Sequence, residues 1–157
     1  MTPARDSFMS EVLRMSEADP GPSGGGGGEQ TELRRLRAMI VEDELLVAWY
    51  LESLLEDLGH EICSIATSAE AAVADFVGFE PDLVFMDVNL GPGPSGIEAA
   101  RRLLALREAP LIFVTAYGDS ATRLAIAEAA PKSLVLSKPV TSLDLGRGIE
   151  MVMGTRH

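Results

Sequence analysis

The chain has a single cysteine, Cys63, and so cannot close an internal disulfide. It has no CxxC pair, and its two histidines, His60 and His157, stand far from any metal-ligand spacing, which excludes a zinc site as well. Long apolar runs are missing too. Residues 45–51 form one of the longest, against the roughly 20 residues a membrane-spanning helix needs, so no membrane association is expected. The first residues offer neither the basic start nor the hydrophobic centre of a secretory signal, and a cytoplasmic location is expected.

Basic residues are scarce. Thirteen Lys and Arg face 24 Asp and Glu, for a formal net charge of -11. Residues 1–37 hold five Arg against six acidic residues, whereas residues 38–157 hold eight Lys and Arg against eighteen Asp and Glu. A domain this acidic repels phosphate backbones, which argues against nucleic-acid binding. It does suit a divalent cation. No P-loop pattern (GxxxxGK[ST]) occurs, so P-loop nucleotide chemistry has no motif to rest on.

What is present divides at about residue 37. In residues 1–37, Phe8, Val12 and Met15 fall at i, i+4 and i+7, which fits an amphipathic helix over residues 6–17. So short a helix is marginal in water and is read as mostly disordered, with folding on a partner as the alternative. Asp19 to Ser23 and the glycines from Gly24 to Gly28 then have the composition of a flexible linker. The expected organisation is an extension over 1–37 and one domain over 38–157.

Within that domain, short apolar runs alternate with helical spacing. Residues 38–41, 61–67, 83–86, 111–114 and 134–136 read as strands. Helices are expected after each: one ended by Gly59, one capped by Ser68 over residues 69–77, one over 97–107, one capped by Asp119 or Ser120, and one after Pro139. Gly78 and Pro81 are read as the turn into the third strand, and Gly146 and Gly148 as weakening the last helix. Five strands alternating with five helices indicate an α/β domain with a parallel sheet between helix layers.

The strand ends carry the chemistry. The run Leu83-Val84-Phe85-Met86 ends on Asp87, a charge too costly to bury inside a core and therefore expected at the exposed carboxyl edge. By the same reading the first strand ends on Glu42 and Asp43, the fourth on Thr115 and the fifth just before Lys138. Each has an ordinary explanation on its own: Asp87 as a turn opener, Asp43 and Glu44 on a helix dipole, Lys138 as a surface lysine, Thr115 as the end of a strand. The conjunction is what carries weight. Clustered carboxylates without His or Cys suit Mg²⁺, Lys138 and the Thr115 hydroxyl can bond phosphoryl oxygens, and one carboxylate remains as a nucleophile.

The segments Val41-Glu42-Asp43-Glu44, Val84-Phe85-Met86-Asp87, Phe113-Val114-Thr115-Ala116 and Lys138-Pro139 resemble the receiver domain of two-component response regulators, over roughly residues 38–153. The resemblance implies a flavodoxin-like fold with strand order 2-1-3-4-5. It implies that Asp87 accepts a phosphoryl group from a histidine kinase or a histidine phosphotransfer protein. It further implies that Asp43 binds Mg²⁺ directly along with Asp87, that the backbone carbonyl of Asn89 completes the protein ligands, and that Glu42 acts through water. Thr115 would be the switch hydroxyl and Lys138 the phosphate-contacting lysine.

Three departures stand out. Val135 occupies the position, three before the lysine, where the family often carries a switch aromatic; Tyr117 supplies an aromatic two residues after Thr115 instead, as in receivers with a Phe-x-Thr-Ala-Tyr-Gly run. The loop after Asp87 is rich in Gly and Pro and one residue longer than usual. Val140 stands where an aromatic is frequent, which leaves a homodimer through the last helices less secure. Eighteen residues follow Pro139, read as the last helix without an output domain. The expectation is a single-domain response regulator that signals to an unknown downstream protein or acts as a phosphate relay or sink. The alternatives are a receiver-like scaffold that is not phosphorylated, and a phospho-aspartate phosphatase of the haloacid dehalogenase-like kind. Against the latter, Asn89 stands where those enzymes place a second Asp.

Overall fold

Alternation of side chains along the buried strands decides the architecture. In β1 (Arg37–Val41), Met39 and Val41 enter one core while Ala38 and Ile40 enter another. β3 (Leu83–Met86) repeats the division, with Val84 and Met86 on the first face and Leu83 and Phe85 on the second. β4 (Leu111–Thr115) sends Leu111 and Phe113 to the first and Ile112 and Val114 to the second. Strands apolar on both faces need helices on both sides. Each Leu, Ile or Phe fully buried in this way contributes about 1.5–3 kcal/mol.

A computed structural model of the protein describes residues 35–116 and 118–154. The helix expected over residues 6–17, the glycine linker and Tyr117 lie outside the described residues. The chain divides into two units, Met1–Arg35 and Leu36–His157, and every described strand and helix belongs to the second. Its strands, completed by β2 (Glu61–Ala66) and β5 (Leu134–Ser137), form one parallel sheet in the order β2-β1-β3-β4-β5. Helices α2 (Ala69–Phe79), α3 (Gly96–Leu106) and α4 (Ser120–Ala129) cover the first face through Phe76, Leu103 and Ile126. Helices α1 (Leu45–Asp57) and α5 (Ser142–Met153) cover the second through Leu51, Leu55, Leu145 and Ile149. This is the flavodoxin-like arrangement expected from the sequence, with every described element found within two residues of its expected bounds, a margin ordinary for helix and strand ends.

Local chemistry explains the starts. The Ser68, Ser95 and Asp119 side chains accept hydrogen bonds from the Ala71, Glu98 and Thr122 amides, capping α2, α3 and α4. At α5, Thr141 and Asp144 form a reciprocal capping box.

One glycine behaves otherwise than expected, and a second does more than expected. Gly78 does not form the turn before β3: it is helical, and the chain reverses at Glu80, whose φ of 49° is left-handed. An added Cβ at Gly78 meets nothing within 4 Å, so the residue sits on an open helix surface where glycine costs only about 1 kcal/mol. Gly148 lies inside α5, which runs unbroken through it, and has a packing role that the expectation of a weakened helix did not include. Its missing side chain lets the helix close on the sheet, since a Cβ there would lie 3.1 Å from Leu134 Cδ2 and 3.4 Å from Leu136 Cδ1. Cys63 is half-buried, with its Sγ 3.5 Å from the Ala38 carbonyl oxygen, and burial pushes its thiol pKa up, as suits a small apolar filler. Among the described residues no helix is long and apolar enough to cross a membrane.

Candidate functional site

At the carboxyl edge of the sheet, four strands end on polar side chains that the core cannot release to water. Glu42, Asp87 and Thr115 are all buried, Glu42 at 1% and Thr115 at 0% exposure. Their backbones are fixed by the ladder itself. The Glu42 amide donates to Ala66 O at 2.9 Å, Asp87 to Val41 O at 3.0 Å, and Lys138 to Thr115 O at 2.9 Å. Lys138 is followed by a cis peptide bond to Pro139.

The side chains converge. Carboxylate oxygens of Glu42, Asp43 and Asp87 all lie within 4.8 Å of one another. Lys138 Nζ donates to Glu42 Oε1 at 3.0 Å and to Asp87 Oδ2 at 3.3 Å. The Glu44 amide donates to Glu42 Oε2 at 3.2 Å. Burial pushes the Glu42 carboxyl from its ordinary 4.5 up to about 7, and the charge of Asp87 adds to that, against the hydrogen bonds from Lys138 and the Glu44 amide. Burial works against the Lys138 ammonium as well, but its hydrogen bond to Glu42 and the charge of Asp87 outweigh it and hold its pKa above the usual lysine value.

One ammonium among three carboxylates leaves the cluster anionic, and its donors are all hard oxygens. That set fits Mg²⁺, which favours one or two carboxylates and retains waters. The exposed Asp43 leaves the cluster open to solvent on one side. The loop after Asp87 crosses close by: Gly91 has a φ of 81°, and a Cβ on it would stand 3.1 Å from Asp43 Oδ2. The Asn89 side chain is committed to this loop, its Oδ1 accepting from the Gly91 amide at 3.2 Å.

Of the residues singled out from sequence, Glu42, Asp43, Asp87 and Lys138 meet directly, and Thr115 joins them through the β4–β5 ladder, where it pairs with Ser137. Val135 does not join them. It faces the first core, on the opposite side of β5 from Leu134 and Leu136.

Two residues escaped sequence reasoning. Gly96 opens α3 with its amide donating to Val88 O at 2.7 Å, and a Cβ there would fall 1.8 Å from the Asp87 carbonyl oxygen. Only a residue without a side chain lets α3 start against the acidic strand end. A glycine directly after the capping Ser95 was the available signal. Tyr50, on α1, donates from its hydroxyl to Val140 O at 3.2 Å. Nothing in the sequence pattern marks that contact.

A model of the response regulator receiver domain family matches residues 38–150. The phyllosphere-induced regulator PhyR of Methylorubrum extorquens is 37% identical over 116 residues, which cover 73% of this chain and 42% of that protein. The transcriptional regulatory protein PdtaR of Mycobacterium tuberculosis is 35% identical over 119 residues, covering 74% and 56%. Among solved structures, the signal receiver domain of a modulated diguanylate cyclase from Desulfovibrio desulfuricans superposes with a TM-score of 0.71 at 33% identity, over 78% of this chain and 96% of that one. The chain spans about half the length of the curated relatives it matches.

Proposed function

The chain belongs to the response regulator receiver family of two-component signalling, and from that premise we propose that Asp87 is its phosphoacceptor. The donor is the phosphohistidine of a histidine kinase or of a phosphotransfer protein. An Asp87 carboxylate oxygen attacks phosphorus, an O–P bond forms as the N–P bond breaks, and the electron pair returns to the imidazole nitrogen, which takes up a proton. The observation that supports this reading most is the placement of Lys138 Nζ, 3.3 Å from Asp87 Oδ2 and 3.0 Å from Glu42 Oε1. A fixed ammonium there meets negative charge arriving on the transferred group without reorganisation. The Thr115 hydroxyl is the second donor to a phosphoryl oxygen.

Asp43, Asp87 and the Asn89 backbone carbonyl would hold Mg²⁺, with Glu42 acting through water. The bound cation would neutralise phosphoryl oxygens during transfer. The segment from Thr115 to Ser120 is the responsive part. Asp119 caps α4 through the Thr122 amide at 2.8 Å, and Arg123 Nε reaches back to Gly118 O at 3.0 Å. Ile126 is the one residue α4 buries fully, so a small change at Thr115 has little packing to overcome. In this reading the protein is a cytoplasmic signalling component, catalysing only its own phosphorylation and dephosphorylation. Its output is a contact with a downstream protein, or phosphate relay.

Intact mass after incubation with Mg²⁺ and a small acyl phosphate tests the proposal. The expected result is one added phosphoryl group, dependent on the metal and absent in Asp87→Asn. No addition from that donor, followed by none from phosphohistidine donor proteins, would replace this reading with that of an unphosphorylated scaffold.

A further inference from the structure

We propose that Tyr50 is a positioning residue for Lys138; the inference rests on reading Asp87 as the phosphoacceptor. Lys138 has to hold its ammonium between two buried acids, at 3.0 Å from Glu42 and 3.3 Å from Asp87. Yet it leaves from β5, an edge strand with a neighbour on one side only, whose last residue Ser137 is exposed. On its amino side the chain is secured by the Lys138 amide, which donates to Thr115 O. On its carboxyl side comes Pro139, which has no N–H to donate. The next anchor is Val140, whose side chain is buried in the second core.

Tyr50 completes that anchor. Its hydroxyl donates to the Val140 carbonyl oxygen at 3.2 Å, across 90 residues of sequence. It stands on α1, the helix that leaves β1 directly after Glu42 and Asp43. The bond therefore ties the helix that follows Glu42 and Asp43 to the segment that carries the ammonium, two residues beyond Lys138. The Tyr50 hydroxyl bonds backbone and not an acid, so it acts through the Pro139–Val140 segment.

The test is Tyr50→Phe, which keeps the ring and removes the hydroxyl, with Leu46→Ala as control, an α1 residue 77% exposed and outside this contact. Two quantities are read on the full chain: the ¹³C resonance of the Lys138 ε-methylene by NMR without phosphodonor, and the saturation curve of phosphoryl uptake from a small acyl phosphate with Mg²⁺. The expected result for Tyr50→Phe is a displaced Lys138 resonance with amide signals of α2 and α3 unchanged. Maximal uptake should fall about three- to fivefold, the order set by one hydrogen bond, with half-saturation by the donor unaltered. Leu46→Ala should match the wild type in both. A Lys138 resonance and uptake maximum equal to the wild type in Tyr50→Phe would overturn the inference. If the wild type itself takes up no phosphoryl group, the acceptor reading fails separately. The Lys138 resonance then still decides whether Tyr50 positions that side chain.

Discussion

The two ends of the sheet use charge in opposite ways. At the amino edge, the charged side chains of Arg37, Asp82 and Arg107 are matched to backbone groups. Arg37 donates from its amide to Asp82 Oδ2 at 2.8 Å and from Nη1 to Phe79 O at 2.7 Å, while the Asp82 amide donates to Arg37 O at 2.7 Å. Arg107 donates to Pro81 O at 3.3 Å and lies 4.3 Å over the Phe76 ring. These contacts close loops and satisfy peptide groups, which is chemistry of stability. At the carboxyl edge the acids face one another instead, with Lys138 as the cation in contact with Glu42 and Asp87. A fold selected for stability alone has no reason to bury Glu42 beside Asp87. The unbalanced edge is the one suited to a cation and a phosphoryl group.

The largest way to break this contrast involves no charge. Gly96→Ala would drive a Cβ into the Asp87 carbonyl oxygen, 1.8 Å away in the present backbone, so α3 or the strand end at Asp87 has to move. Overpacking of this kind costs about 3 kcal/mol. Phosphoryl uptake should fall by more than about a hundredfold, since displacements near 1 Å at a reacting group have that effect. Denaturant midpoint and uptake rate check it together, with the amide signals around Arg37 and Asp82 expected to stay in place.

Next in size is Lys138→Ala, which removes the cation from Glu42 and Asp87. Breaking a buried pair by deleting one partner costs roughly 3–5 kcal/mol. Here the loss should be nearer 2 kcal/mol, because Glu42, already raised to about 7, can take up a proton. Urea unfolding at pH 7 without added metal measures it, and added Mg²⁺ should recover part of the difference.

Glu42 also sets a pH dependence of the metal-free protein. Its folded pKa of about 7 lies above the ordinary 4.5, so between those values the folded state binds more protons than the unfolded state. Stability from this group is complete below 4.5 and declines as pH rises through 7. Glu42→Gln should flatten that decline in a series of thermal melts, and Mg²⁺ should stabilise the wild type more at pH 8 than at pH 5.5, since a proton on Glu42 removes negative charge that favours the cation. An unchanged slope in Glu42→Gln would assign the decline to other groups.

Much of this was readable from residues alone because buried parallel strands announce themselves as apolar runs, and a polar residue ending such a run has one place to go. That logic delivered Glu42, Asp87, Thr115 and Lys138 to one edge. Ser68 and Asp119 were legible as caps for a local reason, a short acceptor side chain just before helical spacing. What stayed hidden depends on distances across the fold. Gly96 matters for its approach to the Asp87 carbonyl and Gly148 for its approach to Leu134, and neither approach leaves a trace in spacing. Gly78 was misread for the converse reason, since an exposed helical glycine and a turn glycine look alike in sequence. The Tyr50–Val140 contact joins segments 90 residues apart, with no periodicity to betray it.

The smallest predicted effect sharpens the contrast by leaving the carboxyl edge alone. Asp82→Ala removes the acceptor of the Arg37 amide, while the reverse bond, from the residue 82 amide to Arg37 O, uses backbone atoms and survives. Arg37 is only partly buried, so water replaces some of the lost interaction, and destabilisation should be about 1 kcal/mol. Phosphoryl uptake and its Mg²⁺ dependence should equal the wild type within error. A loss of uptake larger than the loss of stability explains would mean that β1 transmits strain from Arg37 to Glu42, and the two edges would then have to be treated as one coupled unit.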